Sequence, residues 1–353
     1  MTGPDRREAE PSTPPEVLFD RFFQQFKSRQ PVRPEDPDPR PYRGKRDLSG
    51  LSPLVETLLT SIQRSFNEAL RNEKQNVPEH KPHPPFHFDY IDSEVPNALA
   101  FSYANFSFIG ITMGLVDVLW ETCVRLSRSE TVGSVLGIPI SPERYEPIHV
   151  ALFRIQLSFV ISHEFTHHVH GHVSGSMFFD EVRGGAETGN LEKQVLEVDA
   201  DGYAAYHVLA HLMESEGRPL ALELLDLEVK PRDIQDQVLF SCFVAAIAAY
   251  MFVRPPDKLD GTAIYKLTHP PQAARMNCLM QQAIAWCKQN LPALAEWMTL
   301  SRFQNIMEVV AEATWGMNGG RSWESQTSFL QSEEGAEYFG RLDQALKAHV
   351  QSL

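Results

Sequence analysis

The stretch Val160 to His172, VISHEFTHHVHGH, decides the reading of this chain. It lies in a helical pattern that begins near residue 142, and five histidines fall between positions 163 and 172. Within it, His163-Glu164-x-x-His167 sets two imidazoles four residues apart. On an α-helix that spacing is ~40° of azimuth and ~6 Å of rise, so both rings leave from one face. One face with two nitrogens is what a single zinc ion needs. Glu164 sits ~100° round the helix from His163. It is poorly placed as a third ligand and well placed beside a zinc-activated water, where a carboxylate can take a proton and later deliver it to a leaving amine.

A catalytic zinc needs a third protein ligand and an open position. Metalloproteases that use a third histidine need Gly at 170 and His at 173, and this chain has His170 and Val173. Downstream, QVLEVDADGYAAYHVL carries Glu197 and Asp201 four apart on another predicted helix. Glu197 can complete a His, His, Glu site, and Asp201, one turn on, can accept the free N–H of a ligating histidine and fix its tautomer.

HEFTH, EVDAD and then LTHPPQAARM at 267–276 resemble, in order, the motifs of the gluzincin metallopeptidases of the CAAX-type and heat-shock-type endopeptidase family. That pattern is H-E-x-x-H, E-x-x-A-D, and a later T-H-P followed by an arginine, here Arg275. NALAFSYANFSFIGITMGL, from Asn97, is similar to the family's N-A-F-A edge strand and G-L helix start, with Leu99 in place of the usual Phe. The motifs span roughly 97–276, about half the chain.

The resemblance implies zinc, one per chain, on His163, His167 and Glu197, with Glu164 as general base and Asp201 behind the ligands. It further implies that His269 stabilises the oxyanion and that Asn97 and Ala98 bind the substrate backbone by strand addition. The function implied is zinc endopeptidase, acting on a protein or peptide. Membrane members carry spanning helices near the motifs and this chain does not, which makes it closer to the Lit-type phage-exclusion peptidases. The competing class is a catalytically silent zincin-fold module acting through a partner; a purely structural site has no use for Glu164, which argues against it.

Composition narrows the partners. Lys+Arg 32 against Asp+Glu 46 gives a net charge of −14, without the basic footprint that nucleic acid requires. The acidity concentrates at 163–236, with fifteen acids and five bases, which suits a cation. Cys123, Cys242, Cys278 and Cys287 form no C-x-x-C pair, so a cytoplasmic, reducing setting is expected. No secretory signal is visible at the N-terminus. The uncharged run Val238 to Val253 is short of the ~20 residues of a spanning helix and reads as a buried core helix.

The fold expected is mainly helical α+β, zincin-like, with a metallopeptidase domain over 51–353 and a small sheet whose edge strand at 97–109 borders the zinc cleft. Helices are predicted at 142–170, 192–214, 219–229, 233–253, 270–288, 292–313 and 334–350. Residues 1–50 hold nine prolines and read as a largely disordered arm. Val17, Leu18, Phe19, Phe22, Phe23 and Phe26 make a short amphipathic helix there, with two readings: docking on the protein's own core, or a partner-binding helix at 17–26. His80, His83 and His87, among prolines, read as solvent histidines, and His168 and His172 as surface groups. The glycine-rich loop 174–190 reads as a lid or a plain connector.

Overall fold

Alternating residues near 86–111 become strands, and the helical periods that follow become helices, so the chain is mainly helical α+β as expected. The structure, a computed structural model, describes residues 13–27, 42–73, 84–173, 179–180, 191–255, 259, 264–267 and 269–351. In chain order the elements are α1 (Pro15–Lys27), α2 (Pro53–Glu73), β1 (Phe86–Ile91), β2 (Ala98–Tyr103), β3 (Phe106–Thr112), α3 (Met113–Ser127), α4 (Glu130–Leu136), α5 (Tyr145–Val169), β4 (Phe179–Asp180), α6 (Leu191–Glu214), α7 (Gly217–Leu224), α8 (Arg232–Met251), α9 (Gln272–Asn290), α10 (Pro292–Trp297), α11 (Leu300–Trp315), α12 (Gly319–Gln331) and α13 (Glu333–Val350). Contacts divide the chain into two units, residues 1–117 with 164–183 and residues 118–163 with 184–353. Helix α5 is continuous through the division.

The first unit is built on a sheet of order β1-β3-β2-β4, with β1 parallel to β3 and the other pairs antiparallel. The stretch from Asn97, expected to be one strand, is a hairpin, because Ala104 and Asn105 both take positive φ (49° and 63°) and turn β2 into β3. Asn tolerates that conformation, and Ala gives no warning of it. On its other side β2 carries the two-residue β4, pairing Leu99 with Asp180 and Ala100 with Phe179. The rest of loop 174–190 lies outside the described residues.

Part of the N-terminal arm belongs to this sheet. Leu18, Phe19, Phe22 and Phe23 of α1 are buried in one cluster with Tyr42, Ile91, Leu99, Phe101 and Phe108. Four residues of the apolar face of α1 are therefore covered by the protein's own sheet, while Val17 is exposed; the side chain of Phe26 lies outside the described residues. Phe22 stacks on Phe101 with centroids 4.2 Å apart, and Phe19 meets Phe23, Phe101 and Phe108 at 5.2–5.8 Å. Residues 43–46 then run along the outer edge of β1, with Asp92 N–H donating to Gly44 O (2.8 Å) and Arg46 N–H to Tyr90 O (2.8 Å). Gly44 has φ 117°, and a Cβ there would overlap the Asp20 carboxylate.

His87 is not a solvent residue. It is buried on β1 with its Nε2 3.3 Å from Asp89 Oδ2, because the proline-rich connector ends one residue before the strand begins. His80 and His83 lie outside the described residues.

The second unit is helical. Its centre is α8, buried on all sides from Val238 to Met251, as an all-apolar helix must be. Among the described residues it is the one helix long and apolar enough to cross a membrane, and 89% of that window is buried inside the protein. Gln156 of α5 donates to Ala246 O (3.0 Å) and accepts from Cys123 Sγ (3.0 Å), which spends its amide in the interior. No disulfide joins the four cysteines, and burial pushes the Cys242, Cys278 and Cys287 thiols up to about 12.

The helix expected at 292–313 is broken into α10 and α11, because the Thr299 side chain accepts from Arg302 N–H (3.3 Å) and caps a new start. Helices α4 and α12 were not visible as helical patterns. The first is a seven-residue turn held by a Ser129 cap and a left-handed Gly137.

Removing the Phe19 ring, which is fully buried, tests the α1 packing. Phe19→Ala should cost about 3–5 kcal/mol, read as a lower urea midpoint; an unchanged midpoint would mean that α1 does not hold the sheet.

Candidate active site

Helix α5 delivers the two motif histidines because it stays helical to Val169, past both. His163, Glu164 and His167 are all fully buried. Glu197 and Asp201 sit one turn apart on α6 and are buried too. Four-residue spacing on each helix is what turns each pair toward one side.

His163 is oriented by Asp201, with Nδ1 2.9 Å from Oδ1. Its other nitrogen, Nε2, then lies 3.4 Å from Glu197 Oε2. Arg275 of α9 grips the far side of Asp201 bidentately, Nε donating to Oδ2 (2.5 Å) and Nη2 to Oδ1 (2.8 Å). Burial by itself would raise the Asp201 carboxyl; the Arg275 guanidinium and the His163 ring outweigh it and hold that carboxyl below the usual carboxylate range. A charged Asp201 accepts the Nδ1–H and fixes the tautomer of His163.

His167 has a partner of its own kind. Its Nδ1 lies 2.9 Å from Nδ1 of His172, so one ring donates and the other accepts. His172 is buried, contrary to its expected place on the surface, because the chain turns after α5 at Gly171 (φ 76°) and folds the ring back against His167. His168 is buried as well. Its Nε2 lies 2.9 Å from Phe108 O on β3, and its ring meets Phe86, anchoring the end of α5 to the sheet. His170 is half-buried with its ring 5.8 Å from that of His172.

His269 follows α8 on the way to α9, and it is buried with Nε2 3.3 Å from Glu197 Oε2. Burial first, then the positive charges of Arg254 and Arg275 and the nearby His163, pushes its imidazole well below the usual range. The ring is neutral near neutral pH and can donate one N–H.

Asn97 sits at the start of β2 with its polar groups engaged. Its main-chain N–H donates to Thr112 Oγ1 (2.8 Å), its carbonyl accepts from Thr112 N–H (3.0 Å), and its side chain donates to Tyr42 Oη (3.0 Å). These bonds anchor the start of β2 to Thr112 of β3 and to Tyr42. Ala98 is the first residue of β2 and lies opposite Ile111 of β3.

His163, His167 and Glu197 each offer one ligand atom, all within 4.8 Å of one another. Ligands at ~2.0 Å around a tetrahedral zinc are ~3.3 Å apart, and the His163 to Glu197 separation of 3.4 Å meets that. Buried nitrogen, nitrogen and carboxylate donors with the Nδ1 of each histidine already engaged fit such an ion. Arg275 and His172 are the two supporting residues the sequence left without a role. An arginine following T-H-P was the signal for the first; the second had only its place in a histidine-dense stretch.

A helix bearing H-E-x-x-H, a second helix bearing a ligand-grade glutamate, and a small sheet define a metallopeptidase of the zincin kind. Residues 60–283 match the family model of Peptidase family M48, and the chain belongs to that family. Comparison with curated proteins and with solved structures finds no match.

The orienting pairs are testable apart from catalysis. Asp201→Asn and His172→Ala should each weaken metal affinity by roughly 10- to 100-fold in competition with a chromophoric chelator. Unchanged affinity in both would show that these partners do not set the ligands.

Proposed function

We propose that the chain is a zinc-dependent endopeptidase that hydrolyses peptide bonds in a protein or peptide substrate. The observation that carries this reading is the buried convergence of His163, His167 and Glu197, with Glu164 fixed between the two histidines on the same helix. Charge supports it as well. Glu164, Glu197 and Asp201 are buried carboxylates, Arg275 pairs with Asp201 and lies 3.7 Å from Glu197, and a divalent cation would add the positive charge that so acidic an interior favours.

His163, His167 and Glu197 would hold the ion. When bound, zinc supplies Lewis-acid chemistry, polarising a carbonyl and acidifying a water. Glu164, next to His163 on the same helix, would be the base that accepts a proton there and passes it to the leaving amine. Neutral His269, beside Glu197, donates an N–H to the oxygen on which charge develops. Asp201 and Arg275 keep His163 from turning. Recognition of an extended substrate would use the start of β2, at Asn97 and Ala98, ahead of Leu99 and Ala100, which β4 pairs.

The four unpaired cysteines and the net charge of −14 support a reducing, cytoplasmic setting with protein rather than nucleic acid as partner.

The reaction is tested by separating metal from proton transfer. Glu164→Gln should retain about one zinc per chain while cleavage of unfolded casein falls by on the order of 10²-fold or more; a variant that cleaves at the wild-type rate would remove Glu164 from the mechanism.

A further inference from the structure

Two buried glutamines flank the segment that presents His269. Gln194, fully buried on α6, donates both amide hydrogens, one to Ile264 O (2.8 Å) and one to Leu267 O (2.8 Å). Leu267 is two residues before His269, and Gln194 is three residues before Glu197. One side chain thus ties the His269 segment to the helix turn that carries a ligand.

Gln272, three residues past His269, donates to Met251 O (3.0 Å) and Arg254 O (3.0 Å). The acceptor oxygens of both amides are supplied from the C-terminal helices. Tyr338 of α13 donates its hydroxyl to Gln194 Oε1 (2.6 Å), and Gln326 of α12 donates to Gln272 Oε1 (3.0 Å). All four side chains are buried, so an amide turned the other way would set its oxygen against a carbonyl with no water to relieve the conflict. Tyr338 sits in the cluster formed by Val195, Val198, Ile264, Ala274 and Leu342, which spans the ligand helix, the loop and α13. The match to the peptidase family ends at residue 283, so both outer partners come from sequence beyond it.

We propose that Tyr338, acting through Gln194, is a positioning residue for His269, so that helices α12 and α13 form part of the catalytic machinery. This rests on the catalytic role given to His269 above. A hydroxyl on a helix 144 residues downstream of Gln194 sets the amide, the amide sets the Leu267 carbonyl, and the carbonyl sets where the imidazole meets Glu197.

The test uses the full chain loaded with zinc. Tyr338→Phe removes only the hydroxyl and keeps the ring packing; Gln194→Met removes the amide at similar volume. In each, kcat on unfolded casein should fall on the order of 10-fold with KM unchanged. In a His269→Ala background the same substitution should cost nothing further. Equal losses in both backgrounds would show a general structural effect and overturn the proposal.

Two readouts need no activity. Hydrogen exchange over residues 264–272 should quicken in Tyr338→Phe while that of α8 stays unchanged, and the His269 Cε1–H resonance, assigned by its loss in His269→Ala, should shift. If the wild type does not cleave but these changes appear, the peptidase reading fails and the positioning stands. If neither changes, the positioning is wrong whatever the activity.

Discussion

The bond between Arg275 and Asp201 is the constraint from which the site is built. A carboxylate in a dry interior is tolerated only when a cation and hydrogen bonds repay its lost hydration. Arg275 meets both oxygens of Asp201 at 2.5 and 2.8 Å, and that fixed charge takes the Nδ1–H of His163. The imidazole then has one orientation, with Nε2 toward Glu197. Remove the guanidinium and Asp201 would tend to take up a proton, leaving the tautomer of His163 undetermined. The fold accordingly brings α6 and α9 together around a charge pair that would be costly anywhere else in the core.

A second orienting contact serves His167 by different chemistry. His172 is a neutral partner, and it reaches His167 only because Gly171 permits a left-handed turn directly after α5. His168 ties the same helix end to β3. The five histidines of this stretch therefore divide into two rings that face Glu197 in the candidate metal group, one ring bonded to His167, one structural anchor and the half-buried His170.

What could be read from the chain follows from the range of the interaction involved. The spacings of His163 with His167 and of Glu197 with Asp201 are local helical facts, and in the structure these four side chains lie buried with His163, His167 and Glu197 converging. The burial of His168, His172 and His87 depends on residues distant in sequence or on a turn, and a histidine in a polar stretch carries no sign of either. The hairpin at Ala104 and Asn105 was missed because its left-handed residues include no glycine. Asn97 resembled an edge-strand residue by motif, while the bonds that occupy it come from Thr112 and from Tyr42, fifty-five residues away. The C-terminal helices gave no motif, and their contacts with the segment around His269, Tyr338 to Gln194 and Gln326 to Gln272, join residues far apart in sequence.

The central claim is that His163, His167 and Glu197 together hold one zinc. X-ray absorption at the zinc edge tests it most directly, on the wild-type chain and on His167→Ala. The account predicts about one zinc per chain, surrounded by nitrogen and oxygen at ~2.0–2.1 Å, with the imidazole signature of two histidines reduced in the variant. A sulfur neighbour at ~2.3 Å, or a spectrum that His167→Ala leaves unchanged, would contradict it.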